Sequence, residues 1–116
     1  MVLQKLEQQR DFDSIVKSNQ SFLLFKHSLT CPISREAFRE FHQFTSSYPK
    51  FSAYYLTVQE NRPLSNYIAD FFSIKHESPQ IFYVQDGKVK WHMSHWNIRR
   101  EEIEKAIQNS GVPLIK

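Results

Sequence analysis

The sequence predicts an α/β protein in which helices flank a mixed four-stranded sheet that ends in an antiparallel hairpin. Three observations carry this prediction. Short apolar runs of strand length alternate with amphipathic segments in the early part of the chain, a pattern typical of parallel strands joined by helices. Two later strand-like runs are joined by Asp86–Gly87, a dipeptide that favours a tight hairpin turn. The last segment, residues 97–111, has the apolar spacing of an amphipathic helix.

The chain is predicted to begin with a helix and a strand. Residues 3–18 indicate a short helix that is capped near Asp11 or Asp13. The apolar run SFLLFKH, residues 21–27, has the length of a buried strand.

A second helix and strand follow. Pro32 suits the first turn of a helix, because the N–H that proline lacks has no partner there in any case. This helix should end before Pro49. The aromatic and β-branched run at residues 51–59 indicates the second strand.

The second half of the chain predicts a helix, a hairpin and a final helix. Pro63 is placed to start the third helix. The runs at residues 80–85 and 88–93 are the two strands of the hairpin. The final helix is predicted to start near Asn97 and to end at Gly111.

The resulting order of elements is α-β-α-β-α-β-β-α, which is the thioredoxin-like plan. The 116 residues contain no repeat, linker or low-complexity tract, so we expect one domain over residues 1–116. Apolar residues make up 41% of the chain, which is enough for one modest core and too much for a disordered protein.

Charge and cysteine content narrow the class of function. The net charge is +3, and the basic residues are scattered among acidic ones, which argues against nucleic-acid binding. The N-terminal residues lack the apolar run of a signal peptide or membrane span. A single cysteine excludes an internal disulfide. We therefore expect a cytoplasmic protein that binds neither nucleic acid nor a membrane and whose thiol stays reduced.

The single cysteine, Cys31, lies between the first predicted strand and the helix that starts at Pro32. A sulfur there faces unpaired backbone N–H groups and the positive end of the helix dipole, which both stabilise the thiolate. Lys26, His27 and Arg35 are close in sequence and can add positive potential. The alternative is that Cys31 is a small buried residue without chemistry. The strand-end and helix-start context favours a nucleophile.

Ser34 stands three residues after Cys31, where a dithiol redox motif carries its second cysteine. A serine cannot resolve a mixed disulfide. Two roles remain open for it: a hydrogen bond to the Cys31 sulfur, or an ordinary first-turn bond to the backbone. In either case, a mixed disulfide on Cys31 must be resolved by a thiol from elsewhere.

Ser78–Pro79 directly precedes the first strand of the hairpin. A trans proline at a strand start is the ordinary interpretation. In the thioredoxin-like plan, however, this loop packs beside the reactive cysteine, and a cis-proline there exposes the backbone of the preceding residue to a substrate. On that fold-level analogy we expect a cis bond and a substrate-binding role for Ser78 and Pro79.

The segments LLFKHSLTCPIS and SPQIFYVQDGKVKWHMSHWNI resemble the YtxJ-like monothiol bacilliredoxins, redox proteins of the bacillithiol system, over essentially the whole chain. The resemblance implies a thioredoxin fold and the removal of bacillithiol, the thiol co-substrate, from S-bacillithiolated client proteins. It places the attacking thiolate at Cys31, within a motif that includes Thr30, Pro32 and Ser34. Pro79 then belongs to the loop that faces it.

Other classes of function have weaker support. His92 and His95 are three residues apart, but a metal site lacks a second ligand pair, so we expect none. Trp91 and Trp96 are interpreted as core or rim packing. A thioredoxin-fold module that binds a partner without catalysis is the main alternative to an enzyme. A thiol peroxidase is less favoured, because the threonine and arginine that such sites use are not evident, and nothing specific supports arsenate reduction.

Overall fold

The structure is a computed structural model that describes residues 3–18 and 21–115. Its strands are β1 (Gln4–Lys5), β2 (Phe22–His27), β3 (Ser52–Thr57), β4 (Gln80–Gln85) and β5 (Lys88–Ser94). Its helices are α1 (Gln9–Lys17), α2 (Pro32–Ser47), α3 (Arg62–Phe72) and α4 (Arg100–Asn109), and a 3-10 turn at His95–Asn97 precedes α4. Within the described residues the strands form one sheet in the order β1-β3-β2-β4-β5.

The sheet is mixed, as predicted, but it has five strands rather than four. Strands β1, β3 and β2 are parallel, and β4 is antiparallel to both β2 and β5. The additional strand is β1, in which Gln4 and Lys5 pair with β3, inside the segment predicted to be helical. A two-residue edge strand leaves no period in the sequence. Helix α1 starts later, at Gln9, and the Asp11 carboxylate accepts the N–H of Gln8 at 3.0 Å.

The other elements lie close to their predicted positions. Helix α2 starts at Pro32 and ends before Pro49. In the hairpin turn Asp86 and Gly87 have φ angles of 54° and 75°, the positive pair that a type I′ turn requires. The final helix starts at Arg100 rather than near Asn97, because residues 95–97 form the 3-10 turn.

Two apolar clusters cover the two faces of the sheet, and β2 contributes to both by alternation. Leu23 and Phe25 pack with α2 and α4, whereas Phe22 and Leu24 pack with α1 and α3. The same alternation directs the last two residues of β2, Lys26 and His27, to opposite faces.

The antiparallel register of β2 and β4 places two chain segments at one edge of the sheet. Lys26, near the end of β2, pairs with Gln80, the first residue of β4. The segment that leads from β2 to Cys31 and the Ser78–Pro79 segment that leads into β4 therefore meet at this edge. Among the described residues, no helix is long and apolar enough to cross a membrane.

Candidate thiol site

Cys31 is a free, half-buried cysteine at the N-cap position of α2. Its backbone is extended, with φ −104° and ψ 120°, and its carbonyl accepts the Arg35 N–H at 3.1 Å as the first bond of the helix. Pro32 occupies the first turn, as predicted. Cys31 thus lies where the first N–H groups of a sixteen-residue helix lack intrahelical partners, and its side chain makes no cap hydrogen bond to them.

Ser34 is fully buried and bonded to the segment that precedes Cys31. Its Oγ accepts the backbone N–H of Ser28 at 2.8 Å and lies 2.8 Å from Nδ1 of His27. No hydrogen bond joins it to the Cys31 sulfur within the described part of the chain. The sequence left two roles open for Ser34. In the structure it bonds to the backbone, and His27 is an additional partner.

His27 ends β2 and is fixed by α2. Its ring stacks on Phe38 with centroids 4.5 Å apart and an interplanar angle of 20°. Burial lowers the pKa of His27 below its usual value of 6.5, so the ring is mostly uncharged at neutral pH. His27 is therefore not the source of positive charge beside Cys31 that was considered from the sequence. It acts instead as the hydrogen-bond partner of Ser34.

Gln59, in the loop between β3 and α3, holds the segment from Ser28 to Thr30. Its Nε2 donates to Ser28 Oγ at 2.7 Å and to Thr30 Oγ1 at 3.3 Å, and its Oε1 accepts the Leu29 N–H at 3.0 Å. Gln59 is not among the residues predicted from the sequence. The signal in the sequence is that Gln59 is a polar residue just after β3. The carboxyl end of β3 lies beside the carboxyl end of the parallel strand β2.

The Ser78–Pro79 peptide bond is cis, as expected from the fold analogy. Pro79 is buried, and its carbonyl accepts the His95 N–H at 3.0 Å. The Ser78 hydroxyl oxygen is buried and has no hydrogen-bond partner within residues 3–18 and 21–115.

The residues around this bond are held by side chains from both sides. Gln80 donates to the Lys75 carbonyl at 3.2 Å and accepts the Glu77 N–H at 3.3 Å. The Glu77 carboxylate also pairs with Nε2 of His95 at 2.8 Å, and this contact lowers the pKa of Glu77. His95, considered with His92 as a metal ligand, is thus engaged with a carboxylate. The described residues contain no group of three side chains suited to a metal ion.

Lys26 is fully buried on the face of the sheet that α3 covers. Its ammonium donates to the Ser65 carbonyl at 3.0 Å, contacts Nδ1 of His76 at 3.1 Å and lies 5.8 Å from the ring centre of Phe82. Burial lowers the pKa of Lys26 to about 8. The pKa of His76 is lowered first by burial and then by the charges of Lys26 and Arg62.

These contacts correct one sequence interpretation and add a residue that the sequence did not assign. His76 follows α3 and is half-buried against Lys26. Lys26 was considered a source of positive potential for Cys31, but its ammonium is bound on the α3 face. Residues that follow a helix in a compact loop give no periodic signal of burial.

Comparisons with known proteins agree with this geometry. A family model described as monothiol bacilliredoxin BrxC matches residues 4–103. A solved protein with a thioredoxin fold that has been assigned as an oxidoreductase is 38% identical, with a TM-score of 0.85 over 90% of this chain and 93% of its own. This match confirms the predicted thioredoxin-like fold.

More distant structures share the fold alone. A thioredoxin from Trypanosoma brucei brucei is 10% identical, with a TM-score of 0.78 over 94% of this chain and 90% of its own. Mitochondrial thioredoxin 3 from Saccharomyces cerevisiae is 19% identical, with a TM-score of 0.72 over 92% of this chain and 94% of its own.

Proposed function

Because this chain belongs to the monothiol bacilliredoxin family, we propose that it removes bacillithiol from S-bacillithiolated proteins by thiol–disulfide exchange at Cys31. The chain is a thioredoxin-fold thiol–disulfide oxidoreductase, and the proposal concerns its nucleophile and its substrate. The observation that carries it is the place of the single cysteine. Cys31 is half-exposed at the N-terminus of α2, at the sheet edge that also holds Ser78–Pro79.

The first exchange transfers bacillithiol from the client to Cys31. The Cys31 thiolate attacks the bacillithiol sulfur of the client's mixed disulfide, and a bond forms between these two sulfur atoms. The bond between bacillithiol and the client breaks, and its electron pair leaves with the client sulfur, which takes a proton from solvent. One disulfide is broken and one is formed, so the step needs no metal and no external oxidant.

The second exchange regenerates Cys31 with a thiol that this chain does not contain, since it has one cysteine. The thiolate of a second bacillithiol, or of a redox partner protein, attacks the bacillithiol sulfur bound to Cys31. Cys31 leaves as the thiolate, and the disulfide passes to bacillithiol or to the partner. The low-molecular-weight thiol is therefore a co-substrate. A reducing cytoplasm suits this cycle.

The neighbouring residues have distinct roles in the proposal. Pro32 starts α2 directly after Cys31, so the nucleophile lies at the positive end of the helix dipole. Thr30, through Gln59, and Ser34, through Ser28 and His27, hold the segment that leads from β2 to Cys31. In the proposal, Ser78 and Pro79 form the substrate-binding side of the site, and the Ser78 backbone pairs with an extended client segment.

The test uses a client protein that carries one bacillithiol on a single cysteine. We expect the wild type to release the client thiol and to gain the mass of one bacillithiol at Cys31. Cys31→Ala and Cys31→Ser should release none. The matched control is Ser46→Ala, an exposed position on the same helix, which should behave as the wild type. Equal release by Cys31→Ala would contradict the proposal, and client binding without release would support the non-catalytic binding module instead.

A further inference from the structure

A groove separates the first half of α2 from the segment 95–99. Its volume is about 190 Å³. On one wall are Ile33, Ala37 and Glu40, which share one face of α2 because they are three or four residues apart. Ile33 lies two residues after Cys31, and the wall extends about 10 Å along the helix at 1.5 Å per residue.

The other wall is joined directly to the Ser78–Pro79 segment. It consists of residues 95–99, and its first residue, His95, donates its N–H to the Pro79 carbonyl at 3.0 Å. The first turn of α2, which follows Cys31, and His95, which bonds to Pro79, therefore lie on the two sides of the groove. Because Ile33, two residues from Cys31, lines this groove, a molecule joined to the Cys31 sulfur can extend its remaining atoms toward it.

Among the described residues, the charged side chains that line the groove have partners, except for that of Arg99. Glu36 pairs with Arg39, and His95 pairs with Glu77. The Glu40 carboxylate accepts the backbone N–H of Arg100 at 2.8 Å. Arg99 lines the groove and has no ion pair among residues 3–18 and 21–115. A guanidinium in this position recognises a carboxylate by paired, charge-assisted hydrogen bonds.

The groove also has an aromatic surface that the core does not use. Trp96, expected from the sequence to be core or rim packing, is 65% exposed and lines the groove. An exposed indole that lines a cavity is typical of a binding site. The volume is smaller than the roughly 300–1,000 Å³ of pockets that enclose a drug-sized ligand, so it suits one moiety of a larger molecule.

We propose that this groove binds the sugar and malate part of bacillithiol while its sulfur is bonded to Cys31, with Arg99 on the malate carboxylates and Trp96 against the sugar. This assignment rests on the proposed function and adds to it a specificity site. It makes Arg99 and Trp96 the residues that distinguish bacillithiol from a smaller thiol. A cysteine adduct, which has no sugar or malate, leaves the groove unfilled.

The test compares two mixed disulfides of the same client, one with bacillithiol and one with cysteine. Arg99→Ala and Trp96→Ala should each raise KM for the bacillithiolated client by about five- to tenfold, which corresponds to about 1 kcal/mol of lost contact. Neither variant should change the rate on the cysteinylated client. Arg10→Ala, which removes an exposed arginine of α1, is the matched control and should not change either rate.

Each other outcome has a separate meaning. If Arg99→Ala and Trp96→Ala bind and process both clients as the wild type does, the groove proposal is wrong and the exchange at Cys31 stands. If these variants slow both clients equally, the residues do not read the sugar and malate, which also overturns the proposal. If the wild type releases neither thiol, the failure lies in the proposed function itself.

Discussion

The Ser34 hydroxyl and Nδ1 of His27 lie 2.8 Å apart, so the end of β2 is joined to the first turn of α2 across the segment that carries Cys31. The same hydroxyl accepts the Ser28 N–H. Because Ser34 is fully buried, water cannot replace it as a partner. Ser34, which stands where a dithiol motif carries its resolving cysteine, thus connects the segment before Cys31 to the helix after it.

Replacing Ser34 with alanine should destabilise the protein. The change leaves a buried N–H and an imidazole nitrogen without their partner, which costs about 1–3 kcal/mol. We expect that loss in the free energy of unfolding measured by denaturant titration. Ser14→Ala, at an exposed position of α1, should change it by less than about 0.5 kcal/mol. Equal stability of the two variants would show that the Ser34 bonds contribute nothing.

Lys26 should make the free energy of unfolding depend on pH in the alkaline range. Its pKa is lowered from 10.5 to about 8 in the folded state, so the unfolded chain binds more protons between these values. The free energy of unfolding should therefore rise from pH 8 to pH 10.5, by up to about 3 kcal/mol. Lys26→Met should lack this rise.

The measurement is denaturant unfolding at several pH values, taken as the difference between wild type and variant so that tyrosine titration cancels. Lys88→Met, at an exposed position of β5, serves as the control and should retain the rise. A rise of the same size in Lys26→Met would assign it to another group.

His76 should make the free energy of unfolding depend on pH in the acid range. Its pKa is lowered below 6.5, so the unfolded chain takes up the proton first as the pH falls. The stability that the neutral ring contributes is then lost from about pH 6.5 downwards. His76→Gln should reduce the loss between pH 7.5 and pH 5.5, whereas His42→Gln, on the exposed face of α2, should not. If His76→Gln loses as much stability as the wild type, the prediction is wrong. His27, whose pKa is also lowered, is then the cause of the loss.

The Glu77–His95 pair should affect substrate binding more than stability. Both side chains are partly exposed, and exposed pairs contribute about 0–1 kcal/mol. Glu77→Gln should therefore change the free energy of unfolding by less than about 1 kcal/mol. It should raise KM for a client by about threefold, because the pair holds the residues beside Ser78. Glu102→Gln, which removes an exposed pair with Lys105, should leave KM unchanged, and a KM change shared by both variants would contradict the argument.

The hairpin turn gives a prediction about the backbone. Gly87 has a φ of +75°, and an added Cβ would meet only Val16, at 3.6 Å. The cost of Gly87→Ala is therefore conformational, about 1–2 kcal/mol, and it should appear as a lower thermal midpoint. Asp86→Asn is the control, because asparagine also tolerates the left-handed region. It should be within about 0.5 kcal/mol of the wild type, and a Gly87→Ala variant as stable as Asp86→Asn would refute the turn assignment.

Local signals in the sequence predicted much of the fold and of the site. Pro32 indicated where α2 begins, and Asp86–Gly87 indicated the hairpin, because each depends only on the backbone preferences of a few neighbouring residues. The position of Cys31 at a helix N-terminus followed from the strand before it and the proline after it.

Other residues had no such signal. Gln59 holds Ser28 and Thr30 across about thirty positions of sequence, and Lys26 reaches His76 across 50. Such contacts depend on which strands become neighbours and which face each residue takes. A one-residue change of register would reverse every side chain of a strand, so a single sequence cannot specify these partners by period alone.

By itself, the sequence determined the α/β class, the hairpin, and a lone cysteine between a strand and a helix, since these follow from composition, spacing and local propensity. Only the tertiary structure decided the fifth strand at Gln4–Lys5, the His27–Ser34 bond and the groove beside Arg99. The physical reason is that packing brings together residues far apart in the chain, and burial then changes their charge and their partners.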